Sequence, residues 1–232
     1  MENRYLHLFE TQSQYNTERT GNNYEEPWVS LVKETGEVKF NKTFNANGHE
    51  YVDLGLPSGT LWAPCNLGAI NPEDYGDFYA WGEVEPKTTF SWDTYKFGTS
   101  DNITKYNEAD GLTQLELIDD AAHIQLGGDW CIPTNDQFNE LINSCTTQRG
   151  AFVNGIKGVN FTRNGKSLFI PYAGQRGLVN SDGTGSIAYV WTSSLSAYTV
   201  SARMLISNSE SISVQYVTRY PGLSIRPVLV PV

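Results

Sequence analysis

The stretch that decides the fold is Gly127-Gly128-Asp129-Trp130-Cys131-Ile132-Pro133-Thr134-Asn135-Asp136-Gln137-Phe138, continuing to Cys145. Thr134 and Gln137 stand at the spacing of a capping box. In that motif the threonine hydroxyl accepts from the Gln137 amide, and the Gln137 side chain returns to Thr134. Pro133 precedes the cap, and Asp136 sets a negative charge against the positive helix start. Phe138, Leu141, Ile142 and Cys145 fall at i, i+3, i+4 and i+7, which makes one apolar face. Upstream, a shorter helix is predicted from Asp119 or Asp120 to Gln125, stopped by Gly127-Gly128. Downstream, Gly158–Thr162 and Lys166–Ile170 flank Arg163-Asn164-Gly165. Asn-Gly is the pair preferred in two-residue turns with positive φ, so a hairpin is predicted there. Tyr189 to Val230 reads as three or four strands of a mixed or antiparallel sheet, and frequent glycines from Ser58-Gly59 to Gly222 favour short strands and structured loops. The expected class is α+β, with short helices and long loops.

Residues 1–48 differ in texture. Arg4–Phe9 reads as a short strand, and Trp28–Val32 and Val38–Phe40 as two more around Thr35-Gly36. So short a segment buries too little surface to stand alone easily, so it is expected to pack on the main domain or on another chain. Asn45-Ala46-Asn47-Gly48 reads as the boundary, giving a β-rich extension (1–48) and a main domain (49–232).

Composition removes several classes of function. With 39% apolar and 12% aromatic residues the chain can bury a sizeable core. No run approaches the roughly 18 apolar residues that span a bilayer, so no membrane insertion is expected. Met1-Glu2-Asn3-Arg4-Tyr5 shows no secretory signal. The net charge of −10 is unevenly spread: residues 1–146 hold 8 Lys/Arg against 24 Asp/Glu, residues 147–232 hold 8 against 2. The late basic residues are scattered rather than striped, which argues against nucleic acid; pairing with carboxylates of the acidic part is expected instead. Cys65, Cys131 and Cys145 are widely spaced and odd in number, and His7, His49 and His123 are isolated. A Cys65–Cys145 bond is conceivable, free thiols are favoured, and no metal or cofactor is expected.

Six ordered stretches carry a resemblance: Tyr51-Val52-Asp53-Leu54-Gly55-Leu56-Pro57-Ser58-Gly59-Thr60-Leu61-Trp62-Ala63, Tyr75-Gly76-Asp77-Phe78-Tyr79-Ala80-Trp81-Gly82-Glu83, Gly127 to Thr134, Phe169-Ile170-Pro171-Tyr172-Ala173-Gly174, Trp191-Thr192-Ser193-Ser194, and Gly222-Leu223-Ser224-Ile225-Arg226-Pro227-Val228. Together they resemble the Fibrobacter major paralogous domain of gut Bacteroidetes and their phages, over about residues 50–230. The resemblance implies a C-type-lectin-like fold, which also houses formylglycine-generating enzymes and the variable proteins of diversity-generating retroelements. Cys131 departs from the family, which more often has Arg there.

The tail from Ala202-Arg203 to Gly222 resembles the variable stretch of those retroelement proteins. The resemblance implies ligand contacts at Met204, Ile206, Ser213, Gln215, Val217 and Thr218, with Tyr198, Thr199 and Ser201 in the loop before. Met204, Glu210 and Gln215 are not easily reached from Asn codons by adenine mutation, so a fixed relative fits as well as a diversifying one. Periodicity gives an independent reading. From Ser211 to Thr218 the period is two, with Ile212, Val214 and Tyr216 facing one way and Ser213, Gln215 and Val217 the other. If Leu205, Ile212 and Val214 face the core, Met204, Ile206 and Val217 face outward among small polar groups, a makeup suited to recognition. The alternative is a sheet buried on both sides, or covered by residues 1–48.

Catalytic readings are weak. Glu83, Glu85, Asp74 and Asp77 do not fix the gap that glycoside hydrolysis requires. Ser193 and Ser194 lack a nucleophile elbow and read as backbone-bonding turn residues. No cysteine follows Cys145, as a formylglycine-generating enzyme would need. Residues 183–232 hold Glu210 as their one acid, too few for a calcium site. Trp62, Trp81, Trp130 and Trp191 read as core. The expectation is therefore a non-enzymatic binding protein whose partner is a protein or glycan on a cell surface. It would sit on a phage tail, with residues 1–48 serving attachment or homotrimer contacts, or alternatively be an exported adhesin or structural domain. A carbohydrate-active or sulfatase-modifying enzyme is the remote alternative.

Overall fold

The computed structural model describes residues 29–31, 38–40, 44–177 and 182–229. The strand expected at Arg4–Phe9 lies outside the described residues. The chain divides into two compact units, Met1–Tyr51 and Val52–Val232.

In the first unit, β1 (Val29–Leu31) and β2 (Val38–Phe40) pair antiparallel, Val29 opposite Phe40. A second hairpin joins β3 (Phe44–Ala46) to β4 (His49–Tyr51). Its turn is Asn47-Gly48, at φ 52° and 78°. Asparagine and glycine tolerate that left-handed region, which is why this pair makes a turn within the unit. The division between units falls after Tyr51 instead.

The second unit begins with the short strands β5 (Leu61–Trp62), β6 (Gly98–Thr99), β7 (Asn102–Ile103) and β8 (Trp130–Cys131). Two three-stranded antiparallel meanders follow: β9 (Thr146–Val153), β10 (Ile156–Arg163) and β11 (Lys166–Pro171), then β12 (Ala188–Leu195), β13 (Ser201–Ser207) and β14 (Ile212–Thr218). Finally β15 (Val228–Leu229) inserts between β5 and β8, tying the start, middle and end of the unit into one sheet. Two short helices, α1 (Ala121–Leu126) and α2 (Asn135–Ser144), complete an α+β architecture of antiparallel sheets with few helices.

Both helices start on the predicted chemistry. Asp120 Oδ1 accepts from the His123 amide at 3.0 Å, and α1 ends at Gly127, φ 68°. For α2, Thr134 Oγ1 accepts from the Gln137 amide at 3.2 Å while Gln137 Oε1 accepts from the Thr134 amide at 2.8 Å. Each such cap stabilises by about 1 kcal/mol.

Two apolar cores lie on opposite faces of the β12–β14 sheet. On one side Phe138 and Leu141 of α2 pack with Val159, Phe161, Ile170, Val190 and Leu205. On the other, Tyr79, Trp81, Tyr95, Phe97 and Tyr106, mostly from loops, pack with Trp191, Met204 and Leu223. Trp81 meets Tyr106 edge-on at 5.1 Å, and Phe97 meets Tyr106 at 5.5 Å, geometries that favour aromatic pairs. The indole N–H of Trp81 donates to the Thr192 carbonyl at 2.8 Å, and that of Trp191 to the Tyr79 carbonyl at 2.7 Å. These bonds satisfy polar atoms that burial would otherwise penalise. No disulfide joins Cys65, Cys131 and Cys145. Among the described residues no helix is long and apolar enough to cross a membrane.

Candidate functional site

Strand register settles where the tail's side chains go, because residues directly opposite in an antiparallel pair share a face. One face of the β12–β14 sheet carries Trp191–Met204–Gln215, Tyr189–Ile206–Ser213 and Leu195–Ala202–Val217. The other carries Val190–Leu205–Val214, Ala188–Ser207–Ile212, Arg203–Tyr216 and Ser201–Thr218. The alternation read along Ser211–Thr218 therefore holds. The inference that its second face is wet does not hold throughout.

Met204 is the clearest correction. It is 5% exposed and belongs to the core built by Trp81, Tyr106 and Trp191. Ser201, at 6%, is likewise buried. Ile206 and Val217 are half-buried against the same core. The cause is position: β13 is the central strand, and distant loops cover the face that the tail alone would leave open. Ser213 is half-buried and Gln215 exposed, with Gln215 Nε2 donating to Ser213 Oγ at 3.2 Å.

The open end of the sheet lies elsewhere. Tyr198 and Tyr216 are 59% and 48% exposed, and their rings meet at 5.3 Å and 49°. The Arg203 guanidinium lies 5.9 Å from the Tyr216 ring centre, the outer reach of a cation–π contact. Thr218 is half-buried on the same face. Tyr216 escapes burial although it shares a face with Ile212 and Val214, because those two pack on the α2 core and Tyr216 lies beyond it. Sequence reading missed Arg203 and assigned Tyr216 inward. Their juxtaposition depends on a strand register that no local pattern reveals.

Next to Tyr198, Thr199 and Val200 line a shallow cleft of about 480 Å³ with Ser100, Asp101, Asn107 and Glu108. Two buried clamps hold its wall. Arg219, fully buried and stacked 5.0 Å from the Trp81 ring centre, donates to the carbonyls of Lys105 and Tyr106. Buried Asp119 accepts from Lys96 at 2.7 Å, Lys105 at 2.6 Å and the Tyr106 hydroxyl at 2.7 Å. Burial alone would push the Asp119 carboxyl up. The lysine ammonium groups and the tyrosine hydroxyl outweigh it and hold the carboxyl below the usual range.

Glu83, Asp74, Ser193 and Ser194 have structural work. Glu83 accepts from Lys87 Nζ and the Lys96 amide, both at 2.8 Å. Asp74 bonds the Asn71 amide at 2.8 Å. Ser194 Oγ accepts from the Asn135 amide at 3.1 Å, and Ser193 Oγ donates to the Pro133 carbonyl at 3.4 Å. Trp62, Trp81, Trp130 and Trp191 are buried. Among the described residues no late arginine forms an ion pair with a carboxylate, the pairing expected; Arg163, Arg219 and Arg226 donate chiefly to main-chain carbonyls. Most of those carbonyls, at Gly55, Ala63, Pro64, Lys105 and Tyr106, lie in loops without strand partners, and a five-donor guanidinium satisfies several at once. Among the described residues no three of His, Cys, Asp and Glu gather as metal ligands. Comparison with family models, with curated proteins and with solved structures finds no match to this chain.

Proposed function

We propose that this chain is a ligand-binding module, a C-type-lectin-like scaffold whose recognition surface is the open end of β13 and β14. Tyr198, Thr199, Arg203, Tyr216 and Thr218 form its main face, and Ser213 and Gln215 lie on the reverse of the same strand. The observation that carries the reading is the exposed Tyr198–Tyr216 pair beside Arg203. Tyrosine and arginine lead the residue types that dominate binding energy; here Arg203 and Tyr216 stand on strands fixed by two cores, and Tyr198 meets Tyr216 from the loop before β13. The resemblance of six motifs to the Fibrobacter major paralogous domain supports the scaffold assignment. Structural use of Glu83, Asp74, Ser193 and Ser194 supports binding over chemistry. The target is a protein or glycan on a cell surface, and the motif resemblance favours a phage tail or a bacterial cell surface as the location.

The test is binding of fluorescently labelled full chain to a panel of intact Bacteroidetes strains. A Tyr198→Ala/Tyr216→Ala double variant is expected to bind at least about tenfold more weakly, ~1.4 kcal/mol, with its melting temperature nearly unchanged. Undiminished binding by that variant, or no binding to any strain by the unmodified chain, contradicts the reading.

A further inference from the structure

The two outer edges of the β12–β14 sheet are finished differently. The β12 edge is sealed by loops: Leu195 N–H donates to the Thr113 carbonyl at 2.8 Å, Ser193 to Pro133 at 2.8 Å and Trp191 to Ser224 at 3.0 Å, while Leu115 N–H donates to the Ser193 carbonyl at 2.9 Å. β14 ends the sheet on the other side. Among the described residues, the main-chain groups of Ile212–Thr218 that point away from β13 meet no partner.

Exposed edges normally carry protection in the form of a charge, a proline or a bulge. β9 has exposed Arg149 and an interrupted register beside Gly150, and β11 carries Lys166 and Pro171. β14 has none of these. Ile212-Ser213-Val214-Gln215-Tyr216-Val217-Thr218 pairs with β13 over seven unbroken rungs, without charge, proline or bulge. A bare, β-branched edge of this kind is a template for another strand.

We infer that β14 is the contact between two copies of this chain, paired antiparallel about Gln215. The strand is its own complement in that register. Val214 faces Tyr216 of the second copy, Ser213 faces Val217, Ile212 faces Thr218, and Gln215 faces Gln215. Branched and aromatic pairs meet across the join, and no like charges do. Charge argues for this place in particular. Two copies of a chain with net charge −10 repel each other as wholes, and this neutral strand, in the part of the chain where Lys and Arg outnumber acids, lets them approach. Two-fold closure also consumes both bare edges, so assembly stops at two. The joined sheet has six strands and displays both Tyr198–Tyr216 pairs on one face. The inference does not rest on the recognition reading, although it would make such a surface bivalent.

Sedimentation equilibrium of the full chain at micromolar concentrations tests it. The expected mass is twice the 25.9 kDa of one copy. Gln215→Lys sets two ammonium groups against each other at the two-fold and should give a monomer with unchanged near-UV circular dichroism. Mixing it with Gln215→Glu should restore the dimer as a heterodimer. If Gln215→Lys fails to fold, Ser213→Lys supplies the same readout. A wild type that remains monomeric, a lysine variant that folds and still dimerises, or a mixture that stays monomeric overturns the inference.

Discussion

The two cores flanking the β12–β14 sheet are built by different means. On the α2 side, one amphipathic helix lays Phe138 and Leu141 on strand residues such as Val159, Val190 and Leu205. Periodicity specifies that packing almost completely. On the other side the helical part is small, Ala121 and Ala122 of the short α1, and loop aromatics from Tyr79 to Tyr106 dominate, fixed by indole-to-carbonyl bonds and by the Asp119 ion cluster. The contrast explains why one face of the tail is readable locally while the other is decided far away in sequence. It also makes β12 and β13 each answer to both cores.

The largest effect expected is on the loop-built side. Met204→Asp places a carboxylate among Trp81, Tyr106 and Trp191, and should cost more than about 4 kcal/mol, abolishing the cooperative thermal transition. A variant that melts like wild type would erase the distinction between the cores and return Met204 to the surface. On the helix side, Leu141→Ala leaves a cavity in a regular core, and about 2–5 kcal/mol of stability should disappear in a urea titration. A smaller effect separates the cores by pH. The fold holds Asp119 below its unfolded value near 3.9, so its ionised form contributes stability above about pH 4, and that contribution is lost as pH falls through the folded value. Asp119→Asn should therefore be less stable than wild type at neutral pH, with the gap closing in acid. A gap independent of pH would show that the ion cluster contributes nothing.

Local signals account for much of the architecture. The Thr134–Gln137 box, the Asp120 cap with its Gly127 stop, and the Asn164-Gly165 turn (φ 51° and 74°) all rest on residues within a few positions of one another. β9 escaped the sequence reading although Asn154-Gly155 is a second turn of the same kind, at φ 48° and 83°. Within the tail the phase of the alternation was legible. Which faces are wet was not, since Trp81 and Tyr106, which help bury Met204, lie about a hundred residues away. Arg203 was invisible for a related reason, its meaning arising only when register places Tyr216 opposite it. Arg219 likewise acquires its role from carbonyls at Lys105 and Tyr106.

The chain has two methionines, and the second tests the central claim without any ligand. Peroxide oxidation followed by peptide mass spectrometry reports how fast the Met204 thioether becomes a sulfoxide. Sealed between the loop aromatics and the sheet, Met204 should resist in native buffer and oxidise readily once the chain is unfolded in urea. Oxidation in native buffer as rapid as in the unfolded chain would contradict the double-cored sheet, and with it the placing of recognition at Tyr198 and Tyr216.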